Sequence, residues 1–174
     1  MLRLYKAEGG RTRYWEAWDV DGLVVIHRGV VGTRGETRRI PLGEGQDATA
    51  VIEAESGAAR AQGFCTIDPD PERQVIVACD TTGFEPDEIV GMSRMLEELC
   101  NECLGWTGNG YCDSPAYGGR SLSVYCPVID RDLAVEAVVA ELRRHGCDNW
   151  QERLTVSVPE GAGFRVVYRN PAAQ

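Results

Sequence analysis

Four short runs of β-branched and aromatic residues, joined by tight glycine turns, restrict the start of this chain to an antiparallel meander. Leu2 to Ala7 ends at Glu8-Gly9-Gly10-Arg11, a Gly-Gly turn of the hairpin kind. Tyr14-Trp15-Glu16-Ala17-Trp18-Asp19-Val20 roughly alternates, as a half-buried strand does, and Asp21-Gly22 closes a second hairpin. Leu23 to Val31 reads as the third strand and Glu36 to Leu42 as the fourth. Between them Gly32 and Gly35 bracket Thr33-Arg34, and both glycines are expected to take positive φ at no Cβ cost.

From Gln46 the pattern becomes helical. Asp47 is placed to cap the helix, and Ala48, Val51, Ile52, Glu55 and Ala59 share one side. Gly63 stands where a C′ residue would. Such a helix would cover the open face of the sheet. Gly57 inside it costs about 1 kcal/mol relative to alanine, which implies either close packing or tolerance.

Trp15-Glu16-Ala17-Trp18, then Gly29-Val30-Val31-Gly32-Thr33-Arg34-Gly35-Glu36, then an Ala-rich helix ending Ala59-Arg60-Ala61-Gln62-Gly63-Phe64, resembles a WGR domain over residues 1–67. That module is named for a Trp-Gly-Arg tripeptide and occurs in poly(ADP-ribose) polymerases and in bacterial proteins described as molybdate-metabolism regulators. The tripeptide reads Arg28-Gly29-Val30 here, with arginine where the family has Trp and valine where it has Arg. In the polymerases those two residues lie at the contact with a broken DNA end. The resemblance therefore implies the fold more fully than the binding site.

Arg28, Arg34 and Arg38, with Arg39 beside them, form the one local concentration of positive charge. Up to Asp68 the chain carries nine Arg/Lys against ten Asp/Glu, and beyond it nine against seventeen. The acidic second half repels phosphate at long range, so an anionic partner must be met by the first half. If the resemblance extends to function, the ligand is nucleic acid or a nucleic-acid-bound protein, met by Arg28, Arg34, Arg38 and Arg39 with help from Arg11 and Arg13. The alternative is that these arginines are solvated strand and turn residues among Glu36 and Glu44.

Asp68-Pro69-Asp70-Pro71-Glu72-Arg73 reads as a linker, since its prolines disfavour helix. Residues 74–170 then form an acidic second domain. Gln74 to Asp80 is an apolar strand, and Pro86-Asp87-Glu88 opens a helix whose Ile89, Met92, Leu96, Leu99 and Cys103 make a buried stripe. Leu104 to Arg120, with five glycines, a tryptophan and two tyrosines, suggests a structured loop or a distorted hairpin arm. Ser121 to Val128 alternates as a strand. Asp130 caps a helix faced by Val135, Val138, Val139 and Leu142 and stopped at Gly146, and strands Leu154–Val158 and Phe164–Tyr168 close the domain. This order has the character of a ferredoxin-like split βαβ with an added strand, making the whole chain α+β. Trp106 and Trp150, each near a turn, are candidates for a contact surface or lids on the core.

The chemistry-bearing residues are sparse. His27 and His145 are the two histidines, neither spaced to a serine or cysteine as a triad requires, and no phosphate loop, dinucleotide fingerprint or His-Glu-x-x-His is present. A non-catalytic binding module without a cofactor is expected. The rival is a protein-interaction or regulatory module whose sheet or Gly105 to Arg120 loop docks a partner. The pattern selects no oligomeric state.

Cys100-Asn101-Glu102-Cys103 with Cys112 admits three readings: core thiols, zinc, or a redox pair. Zinc would need a further ligand from Cys126, Cys147, His145 or Asp113. A redox pair would sit better at a helix N-terminus than in the last turn, where the dipole opposes thiolate. Seven cysteines, an odd number, and a start without a basic-then-apolar leader fit a reduced cytoplasmic protein. No apolar run approaches the roughly eighteen residues that span a membrane.

Overall fold

The computed structural model describes residues 1–68, 70–113, 115–145 and 153–169. The chain is mixed α+β and divides into two compact units, Met1–Asp68 and Pro69–Gln174. Among the described residues no helix is long and apolar enough to cross a membrane.

The first unit is a four-stranded antiparallel meander of β1 (Leu2–Glu8), β2 (Arg11–Val20), β3 (Leu23–Val30) and β4 (Glu36–Pro41), followed by α1 (Ala48–Ala61). Asp21 (φ 49°) and Gly22 (φ 73°) both take the left-handed conformation that a two-residue hairpin turn demands. The Asp47 side chain accepts the Thr49 N–H at 3.0 Å, and Gly63, at φ 91°, ends the helix as a left-handed C′ residue. Leu4, Trp15, Ala17, Val24 and Ile26 point to α1 and bury themselves against Ala59, with Val51 and Ile52 packed beside them. A Cβ added at Gly57 meets nothing within 4 Å, so that glycine reflects tolerance and not close packing.

The opposite face of this sheet is also closed at its centre, by polar groups. Tyr14, Glu16 and His27 are all but fully buried. The Tyr14 hydroxyl lies 2.9 Å from His27 Nε2, His27 Nδ1 lies 3.3 Å from Glu16 Oε2, and Arg3 Nε donates to Glu16 Oε1 at 3.1 Å. The Tyr14 hydroxyl also donates to the Thr33 carbonyl at 3.3 Å. The same hydroxyl accepts the Gly35 N–H at 2.8 Å.

The reversal between β3 and β4 corrects one expectation. Gly32 takes positive φ (86°), but Gly35 does not. Gly35 is required for close approach instead: a Cβ there would stand 2.1 Å from the Arg28 carbonyl oxygen and 2.3 Å from the Tyr14 hydroxyl. Gly29 is crowded in the same way, with Gly35 Cα and the Tyr14 hydroxyl each 2.9 Å from its would-be Cβ.

The second unit contains β5 (Gln74–Asp80), α2 (Pro86–Gly105), β6 (Pro115–Gly118), β7 (Ser121–Pro127), α3 (Arg131–His145), β8 (Leu154–Glu160) and β9 (Gly163–Arg169). Its strands form one antiparallel sheet in the order β6-β7-β5-β8-β9. Alternate residues Val75, Val77 and Cys79, Leu122, Val124 and Cys126, and Leu154 and Val156 turn to one face. There they meet Met92, Leu96, Leu99 and Leu104 of α2 and Ala134, Val138 and Leu142 of α3. Asp130 caps α3, accepting the Leu133 N–H at 3.1 Å, and the Glu85 N–H is taken up by the Glu88 side chain at 2.8 Å at the start of α2. Gly146, Cys147 and Trp150 lie outside the described residues, as does Pro69 of the expected linker.

The glycine-rich stretch after α2 is tied down by two side-chain amides, Asn101 of α2, which accepts the Cys112 N–H at 2.9 Å, and Asn109. Asn109 is completely buried; its Nδ2 donates to the Asp130 carbonyl at 2.9 Å and its Oδ1 accepts the Asp130 N–H at 2.8 Å. A bridge between Gly110 and Val128 follows, and then β6 forms a hairpin with β7.

Candidate functional site

Strand pleat decides which arginines meet. Lys6 pairs with Arg13 across β1 and β2, Trp15 with Arg28 across β2 and β3, and Ile26 with Arg38 across β3 and β4. Trp15 and Ile26 face α1, so their register partners Arg28 and Arg38 face the same side. The result is a cleft of about 320 Å³ where the sheet meets α1, with Lys6, Arg13, Arg28 and Arg38 on its walls beside Trp15 and Phe64.

Three carboxylates share that cleft. Glu8 accepts from Lys6 Nζ at 2.7 Å and from Arg13 Nη1 at 3.2 Å. Those two hydrogen bonds, that of Lys6 foremost, hold the Glu8 carboxyl below its ordinary value. Arg38 Nη2 donates to Glu55 of α1 at 2.5 Å, and Arg28 Nη2 stands 3.7 Å from Glu36. Arg28 is two-thirds exposed and its partner more so, which makes this pair the loosest of the set. Four cations against three carboxylates leave the cleft with one net positive charge.

The other expected arginines are dispersed. Arg39 pairs in register with Val25 and so points to the sheet face away from α1, and Arg34 is exposed on the β3–β4 reversal. Arg11 stands opposite Glu8 beside the first hairpin turn, outside the cleft lining. Lys6 and Glu55 were missed by sequence reasoning. The signal for Lys6 was its place three residues before the Gly9-Gly10 turn, which sets it opposite Arg13.

His27, near the charged turn in sequence, belongs to the buried network and not to a solvent-reached site. Burial raises the Tyr14 hydroxyl to about 12, with the Glu16 charge adding to the effect and the Gly35 N–H opposing it. His145 is engaged by Glu141 at 2.8 Å.

The cysteines separate by role. Cys100 is fully buried, and Cys103 donates its thiol to the Cys100 carbonyl at 3.5 Å within α2. Burial above all, with Cys100 nearby, drives the Cys103 thiol far above its ordinary value. Cys112 is half-buried against the same core. Among the described residues no group of three or more His, Cys, Asp or Glu is placed to hold a metal ion.

The chain matches no protein-family model, no curated protein and no solved structure.

Proposed function

We propose that the first unit is a non-catalytic binding module of the WGR-like kind, whose cleft receives a phosphate of nucleic acid. The reading rests on one observation, the convergence of Lys6, Arg13, Arg28 and Arg38 on a single cleft. Guanidinium groups present paired N–H donors that match phosphate oxygens, and two of them already pair with carboxylates, Arg28 with Glu36 and Arg38 with Glu55. An arriving phosphate replaces a carboxylate as partner, and the carboxylate returns to water. Arg28 is the first to exchange, because its pair with Glu36 is long and exposed. A meander covered by one helix, with the order of motifs noted above, supports the family reading. The second unit's strand order supports a ferredoxin-like split βαβ with an added strand, a scaffold that fixes no function by itself.

Such a site binds weakly and without reading sequence. With Arg28 and Arg38 as the phosphate contacts, log affinity should fall against log salt with a slope of about −2 on duplex DNA. The test is fluorescence anisotropy of a labelled, 5′-phosphorylated nicked duplex at low and several-fold higher salt. Binding should be lost in Arg28→Ala/Arg38→Ala and kept in Arg39→Ala, whose side chain points to the other face. Equal loss in both variants would remove the cleft as the site.

A second reading has its own support. Each of the four cations already has a carboxylate within 4.0 Å, and a cleft of alternating charge suits a protein surface of mixed charge. Folded protein that leaves the duplex unbound at low salt would move the function to that reading.

A further inference from the structure

We infer that Cys112 and Cys126 are a thiol–disulfide couple, a site of reversible oxidation by peroxide that fastens the glycine-rich arm of the second unit to β7. The inference is independent of the cleft and of any ligand there.

Backbone register brings the two cysteines together. The Tyr111 N–H donates to the Pro127 carbonyl and the Asp113 N–H to the Tyr125 carbonyl, at 3.4 and 2.8 Å, and Gly110 bridges Val128. These contacts set Cys112 directly opposite Cys126 as a non-hydrogen-bonded antiparallel pair. Such pairs have Cα atoms about 4.5 Å apart, within the window of about 4.4–6.8 Å that a disulfide spans. Both side chains turn to the same core, Cys126 fully buried and Cys112 half-buried. The Cys112 N–H is fixed by Asn101 Oδ1 of α2 at 2.9 Å, which holds the arm in this register. Both cysteines are free thiols in the structure.

The pair is also divided in reactivity. The Cys126 S–H donated to Cys112 holds the Cys112 thiol below its ordinary value, against burial and the charges of Glu97 and Asp113. Cys126 is pushed well up by its contacts with Cys100 and Cys112 and by burial. Cys112, half-buried and within reach of solvent, is thus the attacking sulfur, and the fully buried Cys126 the resolving one. Cys103 is driven upward and so does not compete as the attacking sulfur, and Cys100, as buried as Cys126 and in contact with it, is separated from the couple by the Cys100→Ala variant.

The chemistry needs one molecule of hydrogen peroxide. The Cys112 thiolate attacks one peroxide oxygen; an S–O bond forms, the O–O bond breaks, and the departing hydroxide takes up a proton to become water. Cys112 is oxidised to the sulfenic acid as peroxide is reduced. Cys126 sulfur then attacks the sulfenyl sulfur; the S–S bond forms, the S–O bond breaks, and the hydroxide leaves with the Cys126 thiol proton as a second water. A dithiol reductant reverses the couple by exchange.

The test exposes the reduced full chain to hydrogen peroxide, blocks remaining thiols by alkylation, and maps linked peptides by mass spectrometry. The expected result is loss of two hydrogens and one linked peptide joining Cys112 to Cys126, restored to thiols by dithiothreitol. The link should vanish in Cys112→Ser and persist in Cys100→Ala and Cys103→Ser. In Cys126→Ala the Cys112 sulfenic acid should accumulate and be captured by dimedone. Circular dichroism checks that each variant is folded, and the half-buried Cys112→Ser variant suffices should Cys126→Ala not fold. A wild-type link from Cys112 to any other cysteine, a link between Cys100 and Cys103, or oxidation of Cys112 with no link formed would overturn the couple.

Discussion

Each unit fastens a glycine-rich segment with one buried polar side chain, but the two fasteners differ in kind. In the first unit the Tyr14 hydroxyl grips the β3–β4 reversal through the Gly35 N–H and the Thr33 carbonyl and lies against an ionisable chain of His27, Glu16 and Arg3. In the second unit Asn109 grips the strand–helix junction at Asp130 through two neutral amide bonds, with no titratable partner. Both satisfy backbone groups that burial would otherwise leave costly. The first makes its turn sensitive to pH, whereas the second is indifferent to it. The apolar cluster under α1 is small, formed by buried Leu4, Trp15, Ala17, Val24, Ile26 and Ala59. The second unit can rely on a much larger one.

The strongest way to break the first fastener is Gly35→Ala, whose Cβ would collide with backbone at Arg28 and with the Tyr14 hydroxyl. Forced overpacking of this sort should cost about 3 kcal/mol, read as a fall in the denaturant midpoint. Next comes Asn109→Ala, which leaves the Asp130 N–H and carbonyl without their partner and should cost about 2–3 kcal/mol at every pH from 6 to 10 (an interval of roughly neutral to alkaline solution). Tyr14→Phe removes the acceptor of the Gly35 N–H and should cost about 2 kcal/mol at neutral pH, measured by urea unfolding. A loss under about 0.5 kcal/mol would show that the hydroxyl does not hold the turn.

The pH arm sharpens the contrast. Tyr14 is raised in the folded protein from 10.0 to about 12. The folded state therefore holds its proton where the unfolded chain has lost it, and stability falls as pH rises through that interval. The contribution is complete below pH 10 and gone above about 12. Tyr14→Phe should flatten this part of the stability profile, and Asn109→Ala should leave its slope as in the parent. The smallest effect is a gain: Gly57→Ala, in an exposed helix position with open space around it, should add up to about 1 kcal/mol, visible as a rise in thermal midpoint.

The elements themselves were legible in local pattern. Asp21-Gly22 marked its hairpin because few residue pairs tolerate two successive left-handed conformations, and Asp47 and Gly63 marked the ends of α1 for equally local reasons. The stripe of Met92, Leu96 and Leu99 was readable because helical periodicity writes burial directly into the chain. Of the expected cleft residues, Arg13, Arg28 and Arg38 meet, whereas Arg34, Arg39 and Arg11 do not. Proximity in sequence gathers charges, but a strand sends neighbours such as Arg38 and Arg39 to opposite faces, so which of them share a site depends on register.

Strands, turns, caps and the uneven charge were thus determined by the sequence alone, because each rests on interactions spanning a few residues. Tertiary structure decided the rest. It chose Gly35 for contact and not for φ, buried His27 with Tyr14 and Glu16, drew Lys6 and Glu55 into the cleft, and set Cys112 opposite Cys126. Those are pairings between segments far apart along the chain, whose partners are chosen when whole strands and helices pack and not by the residues beside them.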